Sequence, residues 1–120
     1  MSSYQKKYKF EERKAEIDKI RKKYPEKIPV VVERADHSKN VPEIDKNKFL
    51  VPEELTVGQF MFVIRKRIKL VPEQALFIFI NNELPATSEL MSRIYQKHKS
   101  ECGFLYVTYA GESCFGSNNK

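Results

Sequence analysis

The chain has 120 residues and a formal net charge of +6, with 41% hydrophobic, 12% aromatic and 32% charged residues, proportions that exclude a disordered or fibrous chain and predict one globular domain. Its longest apolar run, at residues 75–80, is six residues, far below the roughly 20 that a bilayer-spanning helix needs. Two cysteines, Cys102 and Cys114, exclude a disulfide scaffold and point to a reducing compartment. The opening string MSSYQKKYKFEERK has no apolar stretch like that of a secretory signal, so a cytosolic protein is expected.

Such a basic surplus raises nucleic acid as a partner. Residues 1–24 hold nine basic and four acidic residues, net +5, whereas residues 25–120 hold thirteen and twelve, net +1. The excess therefore belongs to one N-terminal segment rather than to a domain-wide footprint.

Residues 1–9 are polar and basic, and read as a mobile extension or a short extra helical turn. Residues 10–24 place Phe10, Ile17, Ile20 and Tyr24 on a sparse apolar stripe, open with Glu11 and Glu12, and close with Arg21, Lys22 and Lys23 ahead of Pro25. That charge order complements a helix dipole, but so few apolar positions predict a helix lying on something else. Residues 28–33 and 48–52 read as strands. Pro52 cannot donate to a ladder, which ends the second strand or puts it on an edge. The polar stretch between the two strands reads as a surface loop or a wide hairpin connection.

Thr56 and Gln59 form a capping box, followed by Val57, Phe60, Met61, Ile64 and Ile68 on one face of the central core helix, with Phe62 and Val63 off that stripe. Gly58, early in this helix, suggests close packing at the first turn. Residues 76–80 are apolar on both faces, which predicts a central strand, and Asn81-Asn82 a turn. A short helix capped by Thr87 or Ser88 follows, burying Leu90, Met91, Ile94 and Tyr95. Gly103 leads into a last strand at residues 104–109, and the polar tail is expected to pack against nothing. Without the first helix the order is ββαβαβ, an α+β chain whose mixed sheet is packed by one long helix.

Catalytic signals are sparse. His98 and Cys102 have a tolerable spacing for metal, but there is no second pair, so no metal site is assigned. Cys114 with a histidine makes a poor nucleophile pair in a mobile tail. Four glycines, Gly58, Gly103, Gly111 and Gly116, form no phosphate-binding loop. Arg65, Lys66, Arg67 and Lys69 suit a helix C-terminus on dipole grounds alone. Phe115 and Gly116 stand out because no turn or core in the polar tail requires either.

The strings IDKNKFLVPEELTVGQF at residues 44–60, IRKRI at 64–68, FIF at 77–79 and FLYVTY at 104–109, with the terminal Phe115-Gly116, closely resemble the autophagy-related protein 8 family, the GABARAP-like ubiquitin-like modifiers. The similarity spans nearly the whole chain. It implies a ubiquitin-like β-grasp with a four-stranded mixed sheet over residues 25–113, N-terminal helices at 1–24 packed on the core, and a flexible tail at 114–120. Phe49 stands where the family often has tyrosine, and Lys9 where proline is common.

The resemblance also implies a function without catalysis by this chain. A cysteine protease would cut between Gly116 and Ser117, beside Phe115. Activating and conjugating enzymes would carry Gly116 as a thioester and join it by an amide to phosphatidylethanolamine, with no other cofactor. The product would sit on autophagosomal membranes, reaching the vacuole or lysosome on delivery. Cargo receptors would bind there through aromatic-x-x-aliphatic segments, added as a strand beside residues 48–52.

By the same resemblance the aromatic pocket is Glu16, Ile20, Pro29, Val31, Lys48, Leu50 and Phe104. The aliphatic pocket is Phe49, Val51, Pro52, Leu55, Phe60 and Val63, with Lys46 and Arg67 attracting acidic flanks. Leu76, Phe77, Ile78 and Phe79 match a second partner surface. The alternative is an unconjugated basic β-grasp module that binds nucleic acid or tubulin.

Overall fold

The β-branched residues 28–32 form the strand around which the rest is arranged. In the computed structural model, which describes residues 2–113, the order is α1 (Ser3–Lys7), α2 (Phe10–Lys23), β1 (Lys27–Arg34), β2 (Lys48–Pro52), α3 (Val57–Arg67), β3 (Phe77–Phe79), α4 (Met91–His98) and β4 (Leu105–Ala110). The sheet runs β2-β1-β4-β3. β1 pairs antiparallel with β2 and parallel with β4, and β4 pairs antiparallel with β3. This is the mixed α+β sheet expected of a β-grasp.

Alternation of side chains along the strands divides the apolar residues between two faces. Ile28, Val30 and Val32 of β1 join Leu105, Val107 and Tyr109 of β4 against Val57, Phe60 and Ile64 of α3, Ile68 just past its end, and Met91, Ile94 and Tyr95 of α4. Val31 and Phe104 face the other way and pack with Tyr4 of α1, Ile17 of α2 and Cys102. The N-terminal helices thus lie on the sheet, as the sparse stripe of α2 required. Ile17 is buried, Ile20 half-buried, and Phe10 and Tyr24 at the helix ends are exposed.

The Thr56–Gln59 capping box forms in both directions. α3 ends in a Schellman turn, with Lys69 in the left-handed region at φ 54 and the Leu70 amide donating to the Arg65 carbonyl. Asn81 and Asn82 take φ values of 52 and 64 between the mutually bonded Ile80 and Glu83, so the expected turn forms.

Four sequence expectations need correction. β3 is an edge strand rather than a central one. It is buried on both sides because Leu76, Ile78 and Ile80 reach the α3 core while Phe79 packs on Ala35 and Ala110. α4 starts at Met91 with Leu90 before it and no side-chain cap. The Thr87 and Glu89 carbonyls instead accept the Gly58 and Val57 amides that open α3. A Cβ on Gly58 would lie 3.3 Å from the Thr87 oxygen, so this glycine serves the close approach anticipated for it.

The stretch after β1 is the wide hairpin connection to antiparallel β2, and it is not all surface, because Ala35, Ser38 and Val41 are buried. The last strand runs one residue further than expected, to the buried Ala110, and the chain after it does pack, since Gly111 and Glu112 bond to that loop. Residues 3–7 form a helical turn rather than a mobile extension, closed by a Ser2–Gln5 capping box.

Candidate functional site

Among the described residues β2 has β1 as its only sheet partner, so the outer edge of residues 48–52 is open to a further strand. The strand is short and ends in proline. Its alternation sends Phe49 and Val51 toward the α3 core, with Lys48 and Leu50 toward the α2 side. An extended chain laid along this edge would meet a different set of side chains on each face.

On the α2 side, Pro29 pairs in register with Leu50 and Val31 with Lys48, so four of the aromatic-pocket residues form one patch of sheet. Phe104 adjoins it from the start of β4, and Glu16 and Ile20 overhang it from α2. Phe104, Pro29 and Val31 are buried, Glu16 and Ile20 half-buried, and Leu50, 38% exposed, forms the accessible wall. The Lys48 ammonium meets a Glu16 carboxylate oxygen at 2.5 Å, and the other oxygen accepts from the Tyr4 hydroxyl at 2.7 Å. Partial burial acts to raise the Glu16 carboxyl, but hydrogen bonds from Lys48 and Tyr4 outweigh it and hold the group below its ordinary value. Burial, then the neighbouring Glu16, push the Tyr4 phenol well above its ordinary value.

Tyr4 is the residue that the sequence reading missed. Its ring stands edge-on to Phe104 at 5.4 Å, with Lys48 Nζ 5.6 Å from its centroid. α1 is anchored by Glu33, whose carboxylate accepts the Ser3 and Tyr4 amides, each at 2.9 Å. The Ser2-x-x-Gln5 spacing was the available signal for a helix here.

On the α3 side, Phe49 stacks edge-to-face on Phe60 at 6.0 Å. Phe60 and Val51 are buried, Leu55 is half-buried, and Val63, one helical turn past Phe60, is 38% exposed. Phe49, Val51, Leu55 and Phe60, four of the six residues expected for the aliphatic pocket, pack in one cluster. Pro52 sits at the strand's end, in the alternation of Leu50 rather than of Val51.

Around the edge, Lys46 Nζ lies 5.1 Å from the Phe49 ring centroid, and Arg67 bonds Asp45 at 2.9 Å. Both lie beside β2, although Arg67 and Lys48 already hold carboxylates that an acidic ligand would have to replace. The second surface divides differently: Leu76, Ile78 and Phe79 are buried, leaving Phe77 half-exposed. His98 bonds Asn81, whereas Cys102 lies among Ser100, Arg13 and Tyr106. Among the described residues no three His, Cys, Asp or Glu side chains gather as a metal site, and no helix is long and apolar enough to cross a membrane. Cys114, Phe115, Gly116 and Ser117 lie outside the described residues.

Comparison with known proteins agrees with this architecture. Residues 12–116 match the family described as autophagy protein Atg8, ubiquitin-like. Autophagy-related protein 8 of Mycosarcoma maydis is 59% identical over 115 residues, covering 96% of this chain and 97% of that protein. Autophagy-related protein 8e of Arabidopsis thaliana is 61% identical over 110 residues, covering 92% and 89%. The crystal structure of Trypanosoma brucei ATG8 superposes with a TM-score of 0.89 at 43% identity, over 97% of this chain and 99% of that one. The chain belongs to the Atg8 family of ubiquitin-like autophagy proteins.

Proposed function

We propose that this chain is a lipid-conjugated modifier that recruits cargo receptors to autophagic membranes. The observation that carries the recruiting half is the β2 edge, with Leu50 and Lys48 on one sheet face and Phe49 and Val51 on the other. An aromatic-x-x-aliphatic segment in extended conformation adds as a strand there. Its aromatic side chain enters between Leu50 and the Glu16–Lys48 pair, and its aliphatic one between Phe49 and Val63. Two buried anchors contribute about 1.5–3 kcal/mol each and a few strand hydrogen bonds about 0.5–1.5 each. Association costs about 4–15 kcal/mol, so binding is weak for one copy and rises when copies cluster on a membrane.

The attachment half rests on the tail. The family match ends at residue 116, the glycine of Phe115-Gly116. Cleavage between Gly116 and Ser117 by a cysteine protease frees a carboxyl group with no side chain beside it. An activating and a conjugating enzyme carry it as a thioester, and the amine of phosphatidylethanolamine displaces the thiol to give an amide. The lipid brings two acyl chains, enough for stable attachment where one gives only marginal binding. The enzymes supply the catalysis, and this chain supplies the acyl group.

Intact mass of the cellular protein during starvation tests the attachment. The expected species lacks Ser117 to Lys120 and carries phosphatidylethanolamine, and Gly116→Ala removes it. A full-length unmodified chain, or lipid on the variant, would contradict the proposal. For the groove, Leu50→Ala is the informative variant. Phe104→Ala is a poor one, because Phe104 packs against Tyr4, Ile17 and Val31 and its truncation costs stability.

A further inference from the structure

The loop between β1 and β2 holds the root of the tail. Ser38 is the one fully buried polar side chain among the described residues, at 0% exposure. Its hydroxyl accepts the Gly111 amide at 2.8 Å, and its own proton is shared between Glu112 Oε1 at 2.8 Å and Asn40 Oδ1 at 3.0 Å. The other Glu112 oxygen lies 3.5 Å from His37 Nε2. The Ala35 amide donates to the Tyr109 carbonyl at 2.9 Å, and the Tyr109 hydroxyl donates to the Pro42 carbonyl at 2.7 Å. A Cβ on Gly111 would lie 2.7 Å from the Asn40 side chain, so the loop closes directly over a bare backbone.

The Ser38 contacts join segments 73 and 74 residues apart, immediately past the end of β4 at Ala110. A buried hydroxyl is costly unless its bonds are made. Here they are made to the last turn of chain before the tail. Gly116 follows Glu112 by four residues.

We propose that Ser38, with Glu112, is a positioning residue for the reactions at Gly116: it fixes the direction in which the chain leaves the domain. This rests on the processing reading above. An enzyme that grips the domain and threads the tail then has fewer orientations to freeze out, and the saving appears in binding rather than in the chemical step. Neither residue touches the β2 edge.

The test uses full-length protein and a cysteine protease of the class that processes Atg8 proteins, with cleavage after Gly116 read by intact mass. Ser38→Ala and Glu112→Ala are each expected to raise KM about three- to tenfold with kcat unchanged. The double variant should be no worse than the weaker single one, because the two residues form one device. Hydrogen exchange at the Gly111 amide should quicken in Ser38→Ala, while affinity for a Trp-x-x-Leu peptide stays at the wild-type value. Glu112 is partly exposed, so its removal leaves no cavity and keeps the test readable if Ser38→Ala folds poorly. Wild-type protein cut normally, with both variants showing an equal or lower KM, would overturn the positioning role alone. Wild-type protein left whole by the protease would overturn the processing reading, and this role with it.

Discussion

The two faces of the sheet are held by different means. On one, α3 and α4 bury a continuous apolar cluster against all four strands. On the other, α1 and α2 rest on a cluster whose fully buried members are Tyr4, Ile17, Val31, Cys102 and Phe104. Much of the rest is polar: Glu33 caps α1, Tyr4 and Lys48 share Glu16, and Arg13 bonds Tyr106. The first face is expected to open only with the whole fold, and the second at lower free energy, as a separate unit. The proposed groove would draw on both, its aliphatic half on the rigid face and its aromatic half on the more yielding one.

The difference can be broken at either side. Phe60→Ala should cost about 3–5 kcal/mol and lower the global denaturant midpoint, since Phe60 is buried at the centre of the larger cluster. Ile17→Ala should cost about 2 kcal/mol or more, but hydrogen exchange should quicken in α1 and α2 while the α3 amides keep their protection. Equal loss of protection in α3 would show that the two faces melt as one.

Smaller changes sharpen the picture. Glu33→Gln weakens a charged cap, for an expected cost of about 1 kcal/mol, read as faster exchange of the Ser3 and Tyr4 amides with β1 unchanged. The smallest effect concerns Glu16, whose pair with Lys48 is partly exposed and is worth less than about 1 kcal/mol. Its carboxyl is held below the ordinary value in the fold, so its contribution is complete above the unfolded value of about 4.3 and is lost as pH falls through the folded one. The advantage in Tm of wild type over Glu16→Gln should therefore be full at neutral pH and vanish in acid. An advantage that grows with acidity would reverse the sign assigned to this pair.

Most of the rigid face was legible in the sequence. The Thr56–Gln59 box and the stripe through Phe60, Ile64 and Ile68 carry their own local signals, and Pro52 pointed to a strand end or an edge at β2. The polar attachments were not legible, because each depends on a partner distant in sequence. Nothing near Ser38 announces that Gly111 will donate to it, and nothing near Thr87 shows that its carbonyl will serve the first turn of α3 instead of its side chain opening α4. Apolar residues on both sides of β3 suggested a central strand, yet Ala35 and Ala110 cover Phe79 at an edge. For the groove, local patterns marked β2 and α3, but the pocket membership came from family resemblance alone.

The most direct test of the groove is a titration of a Trp-x-x-Leu peptide with acidic flanks into isotope-labelled protein, followed at each amide. The account predicts the largest shifts along residues 48–52 with changes on both α2 and α3, and at least tenfold weaker binding for Leu50→Ala. Shifts centred on β3, or an unchanged affinity in that variant, would contradict it.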